Sequence, residues 1–126
     1  FSKSTKQTID FYKNVFGILE PEVEEISDQG VLAALLRIGG SQLELIQPID
    51  PEGGVARFIE RKGEGMHHIC LEVEDIQQTL DRLDAEGLEL IDKIPREGLS
   101  GNIAFIHPKS TGGVLLELVD QATARR

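Results

Sequence analysis

"GEGMHHICLEVEDIQQTL", residues 63–80, sets two adjacent histidines ahead of an apolar run that leads directly into a helix start. Asp75 stands at a capping position, Ile76, Leu80 and Leu83 recur on one helical face, and Gly87 supplies the stop. The run before it, "HHICLEV", reads as a strand. Alternation puts His67, Ile69, Leu71 and Val73 on one face and His68, Cys70 and Glu72 on the other. The aliphatic set is expected to pack on helices, and the polar set to face a cavity. His68 is therefore the histidine predicted to point inward.

The same order recurs upstream. "TIDFYKNVFG" (8–17) and "TLDRLDAEG" (79–87) share a Thr-apolar-Asp core and a terminal Gly. Ile9, Tyr12 and Phe16 recur at helical spacing, with Ser2 or Ser4 available as the cap. Each helix is followed by a polar stretch and then paired strands, Gly30 to Gln47 in one copy and Gly101 to Asp120 in the other. Both pairs cross a Gly-rich turn and finish in Leu-Glu-Leu. This is an internal repeat. Between the copies, "DPEGGVARFIERKGEG" predicts a short helix from Val55 to Lys62 flanked by Gly turns. Copy one lacks a counterpart of "HHICLEV", so its first strand is expected to be missing from the chain. The partner of His68 would then fall about five residues upstream of Phe1.

The repeat makes two glutamates equivalent. Gln42, Glu44 and Ile46 share a strand face, as do Leu115, Glu117 and Val119. A mid-strand carboxylate between apolar neighbours is costly to bury unless paired or bound to a cation. A lone strand histidine is most often structural, and the Glu of a Leu-Glu-Leu strand most often points to water. Symmetric placement favours a shared role instead. Glu44, Glu117 and His68 are the candidate ligands of a divalent metal. Cys70 reads as cavity filler, because no basic partner is evident to activate it. His107 reads as a turn or substrate-loop residue, and Glu72 as a solvated edge residue. Arg57, Arg61 and Lys62 form a solvated helix face that an anionic ligand could also meet.

Composition narrows the class. At 126 residues, with 40% hydrophobic and 28% charged side chains, the chain suits one ordered domain. A net charge of −9 with no basic stripe argues against nucleic acid. No run of about 18 apolar residues is present, so no membrane span is expected. One cysteine rules out an intramolecular disulfide.

Three segments carry a family resemblance: "ARFIERKGEGMHHICLEV" (56–73), "IAFIHPKSTGGVLLEL" (103–118) and "QGVLAALLRIGGSQLELIQPI" (29–49). Together they resemble the vicinal-oxygen-chelate (glyoxalase/bleomycin resistance/dioxygenase) superfamily and, within it, the methylmalonyl-CoA epimerases. The tail "QATARR" carries no part of the likeness.

The resemblance implies an α+β fold of two tandem βαβββ modules forming a curved mixed sheet that cups a metal. Module one would span about residues 1–50, a linker helix about 51–65 and module two about 66–120, in one domain over 1–126. It implies His68, Glu117 and Glu44 as metal ligands, with Glu117 as a catalytic base. The metal would be divalent, with cobalt first and zinc, nickel, manganese or iron as alternatives. It implies epimerisation of methylmalonyl-CoA at C2, a homodimer, and a cytoplasmic or mitochondrial-matrix setting. Some relatives carry a second glutamate where this chain has Ala33, so a two-glutamate mechanism does not transfer intact. The alternatives are a glyoxalase-type enzyme of the same superfamily and a metal-free module that binds a small molecule.

Overall fold

Helix and strand signals fall where the capping residues put them. The computed structural model describes residues 1–19, 21–98 and 101–124, so the tail's Arg125 and Arg126 lie outside it. The chain forms two compact units, Phe1–Met66 and His67–Arg126.

In unit one, helix α1 spans Thr5–Phe16. Of the two serines considered, Ser4 is the cap: its hydroxyl accepts from the Gln7 N–H, and Gly17 closes the helix at φ 69°. Strands β1 (Val23–Ile26), β2 (Val31–Ile38) and β3 (Ser41–Pro48) form an antiparallel sheet in that order. Register sets Ala33 opposite Ile46 and Leu35 opposite Glu44, so these four share one face. The other face presents Ala34, Leu36 and Leu45 to Ile9 of α1. Helix α2 follows, Gly54–Lys62, one residue longer than expected at its start. The N–H of Ser2 donates to the Ile46 carbonyl, so the entering segment lies against β3. The Phe1 amino group and the Gly65 carbonyl are 2.6 Å apart, and Glu64 accepts from the Lys3 N–H. These bonds fix the loop that leads to the two histidines.

Unit two opens on a strand ahead of its helix. It runs β4 (Ile69–Val73), α3 (Ile76–Ala85), β5 (Arg96–Gly98), β6 (Gly101–Ile106) and β7 (Leu116–Asp120). Sheet order is β4-β7-β6-β5; β4 pairs with β7 in parallel and the rest are antiparallel. Asp75 caps α3 by accepting from the Gln78 N–H. The α3 face buries Ile76 and Leu80 against Ala104, Ile106 and Leu118. The α+β class and the repeated module are thus both present. No helix among the described residues is long and apolar enough to cross a membrane.

Two expectations need correction. The strand begins at Ile69, so both histidines precede it and alternation does not separate them. Ile69 and Leu71 do not pack on a helix; they are 43% and 50% exposed. The reason is position: β4 ends its sheet, and α3 covers β6 and β7 and reaches β4 only at Val73.

Candidate active site

Glu117 is the second residue of β7, with Leu116 and Leu118 turned to the helix side. It is 5% exposed, the one buried carboxylate among the described residues. A carboxylate so placed needs a partner. It has one: Oε1 lies 3.0 Å from His68 Nε2. No protein donor among the described residues is bonded to its second oxygen. Parallel register puts Cys70 beside Glu117, and antiparallel register puts Phe105 on the other side. The His68 ring meets Phe105 edge-on at 6.1 Å. Imidazole, carboxylate and aromatic ring therefore share the sheet face opposite α3.

His67 joins them. Its ring stands edge-to-face with His68 at 5.3 Å, and the two Nδ1 atoms are 3.1 Å apart. One Nδ1 must carry the proton and the other must accept it. With His68 Nδ1 so occupied, its Nε2 is directed at Glu117. The pairing arises because both residues lie in the lead-in before β4, where the chain is not pleated.

The predicted site residues divide between the units. Unit two brings His68 and Glu117 together. Glu44, half-buried on β3, belongs to unit one and shares a face there with Ala33, Leu35 and Ile46. Ala33 thus stands two residues along the sheet from Glu44 on the same face. Among the described residues no three His, Cys, Asp or Glu side chains form a cluster able to hold a metal. His68 and Glu117 nevertheless suit part of a divalent site. Two donors about 2.1 Å from one octahedral ion lie about 3 Å apart, which matches their separation. Imidazole and carboxylate are also the donor types such ions accept.

The remaining candidates take other roles. His107 is a turn residue: its Nδ1 accepts from the Lys109 N–H. Cys70 and Glu72 are exposed on β4. Two surface clefts of about 350 and 370 Å³ lie along α1 in unit one, and neither is lined by a predicted site residue.

Sequence reasoning missed His67, Phe105, Asp92 and Arg96. Phe105 was readable from alternation in "NIAFI", which pairs large Ile103 and Phe105 against Ala104 and Ile106. Asp92 and Arg96 gave no such signal, because they meet Phe105 only through the fold.

Comparison with known proteins gives the arrangement a context. Residues 1–105 match the family model described as Glyoxalase/Bleomycin resistance protein/Dioxygenase superfamily. The chain is 39% identical to an uncharacterized protein of Bacillus subtilis named YqjC, covering 93% of this chain and 84% of that one. It is 36% identical to the mitochondrial methylmalonyl-CoA epimerase of Dictyostelium discoideum, covering 92% of this chain and 71% of that one. Among solved structures, the methylmalonyl-CoA epimerase of Mycobacterium tuberculosis superposes with a TM-score of 0.79 at 34% identity. That alignment covers 93% of this chain and 80% of the other.

Proposed function

The chain belongs to the glyoxalase/bleomycin resistance protein/dioxygenase superfamily, and on that premise we propose that it interconverts the two C2 epimers of methylmalonyl-CoA. The observation that carries the reading is the buried Glu117 paired with His68, in a chain similar to proteins named for that reaction. The C2 proton lies next to a thioester carbonyl, so its removal leaves negative charge that spreads onto the thioester oxygen. His68 and Glu117 would hold a divalent ion in unit two, and Glu44 stays a candidate ligand on the symmetry of the repeat alone. When bound, such an ion offsets the charge developing on that oxygen, an effect worth several kcal/mol.

The protein's own groups do the rest. Glu117 Oε1 is engaged by His68, which leaves the second carboxylate oxygen to take the C2 proton: the C–H bond breaks and an O–H bond forms. Burial keeps bulk water away from this carboxylate, so the oxygen left open faces a bound ligand instead. Returning the proton to the opposite face inverts C2. With Ala33 at the position of the second glutamate, that donor is a group other than a carboxylate at residue 33. The single cysteine and the acyl-CoA substrate accord with a reducing compartment, the cytoplasm or the mitochondrial matrix.

The test starts from one C2 epimer and follows the mixture by chiral analysis. Relaxation to near-equal epimers supports the reading. Turnover only of the methylglyoxal–glutathione hemithioacetal replaces it with a glyoxalase-type activity.

His67 gives a second expected result. A His68 that ligates through Nε2 must donate from Nδ1, and His67 Nδ1 is the acceptor 3.1 Å away. Removing such an outer partner typically lowers metal affinity about 10–100-fold. His67→Phe keeps a ring of similar size and removes that acceptor, so cobalt binding followed by absorbance weakens by that amount. Unchanged affinity would show that His67 does not orient the ligand.

A further inference from the structure

We infer that Arg96 is a specificity-determining residue that receives the free carboxylate of an acyl-CoA's acyl group, an inference that rests on the proposed function. Arg96 opens β5, and register sets it opposite Ile103, which pairs with Val119, which pairs with Glu72. That row lies on the same sheet face as the row Phe105, Glu117 and Cys70. From its own row the side chain reaches back, and its guanidinium carbon lies 5.3 Å over the Phe105 ring. Phe105 is the ring that also meets His68 at 6.1 Å. One aromatic side chain thus carries a cation on one side and the imidazole of the candidate site on another.

The placement is enforced. Asp92 receives the Phe105 N–H at 2.9 Å, and the Phe105 carbonyl accepts from the Ile91 and Asp92 N–H groups. The same carboxylate lies 3.3 Å from Arg96 Nε. Asp92 therefore ties the arginine to the backbone of the residue it covers. The β5–β6 hairpin closes at Gly98 and Gly101. A Cβ at Gly98 would collide with Ile103, and Gly101, at φ 125°, lies against the Thr123 carbonyl.

The tether uses Nε alone. No acceptor among the described residues reaches the two terminal amino groups, and the side chain remains 56% exposed. A planar guanidinium held over a ring, with no acceptor among the described residues on its terminal N–H groups, suits bidentate recognition of a carboxylate or a phosphate. Position separates the two. The acyl carboxylate of a malonyl-type thioester is bonded to C2 itself, so it must lie close to the base that takes the C2 proton. The phosphates of the same ligand lie at the far end of the pantetheine arm. Proximity to His68 and Glu117 thus points to the carboxylate. It also gives the site a means to prefer malonyl-type thioesters over uncharged ones.

The experiment measures binding of malonyl-CoA and acetyl-CoA, which differ by that carboxylate, to the wild-type protein and to Arg96→Gln and Arg96→Lys. A bidentate pair of this kind is worth about tenfold in affinity. Arg96→Gln should weaken malonyl-CoA by that factor with acetyl-CoA unchanged, and Arg96→Lys should restore part of the loss. Equal weakening of both ligands would assign Arg96 to the phosphates and overturn the inference. An unchanged preference in Arg96→Gln, with the wild type active on methylmalonyl-CoA, overturns it and leaves the function standing. A wild-type protein that binds neither thioester overturns both. Unfolding midpoints of the variants show whether any loss comes from the fold instead.

Discussion

Glu117→Gln should lower the rate of C2 proton exchange in methylmalonyl-CoA by about 10²–10⁴-fold, the range expected when a positioned base is removed. The substitution keeps size and shape in a residue that is 5% exposed on a central strand. The amide oxygen can still accept from His68 Nε2, so the cost to folding is about 1 kcal/mol. What disappears is the capacity to take a proton from carbon. Circular dichroism and the unfolding midpoint establish that the variant is folded. An exchange rate equal to that of the wild type would remove Glu117 from the chemistry and leave it as a structural partner of His68.

The second large effect is on stability. Leu80 is 0% exposed and sits at the centre of the α3 cluster with Ile76, Ala104, Ile106 and Leu118. Leu80→Ala removes that side chain from a packed site and should destabilise by about 3–5 kcal/mol. The midpoint of thermal unfolding should fall by roughly 10 °C or more. Leu71 is the internal control: the same residue type on β4, but 50% exposed. Leu71→Ala should cost less than about 1 kcal/mol. Equal losses at the two positions would contradict the assignment of β4 as a sheet end that α3 does not cover.

That contrast marks where the sequence was and was not legible. Caps at Ser4 and Asp75, stops at Gly17 and Gly87, and the repeated Leu-Glu-Leu strands are local signals, and the elements they announce are in place. Register then follows from alternation once a strand exists, which is why Glu117 falls on the face away from α3 as expected. Alternation fails where the chain is not yet a strand. Applied to "HHICLEV", it sent His67 to the aliphatic side, whereas β4 begins two residues after it and the two rings meet. It also carries no information about which strand ends a sheet, and so it buried Ile69 and Leu71 on paper. Arg96 was invisible for a third reason. Its place over Phe105 depends on Asp92 bonding a backbone N–H 13 residues away, a relation no spacing rule encodes.

The site's chemistry was legible in part. His68 and Glu117 were named from the sequence as ligands of one metal; the structure sets their side chains 3.0 Å apart, and the metal itself remains a proposal. Glu44 remains a proposal resting on the symmetry of the repeat. In the proposed reaction, inversion at C2 needs a proton delivered to the face opposite Glu117, and Ala33 has no side-chain group to supply it.

The most direct test is proton NMR of methylmalonyl-CoA in deuterated water, with the wild-type protein and Glu117→Gln compared at equal concentration and equal added cobalt. The account predicts that the C2 proton signal disappears with the wild type and the methyl doublet collapses, while Glu117→Gln leaves both nearly intact. A C2 proton that persists with folded wild-type protein, or one lost equally fast with Glu117→Gln, would contradict it.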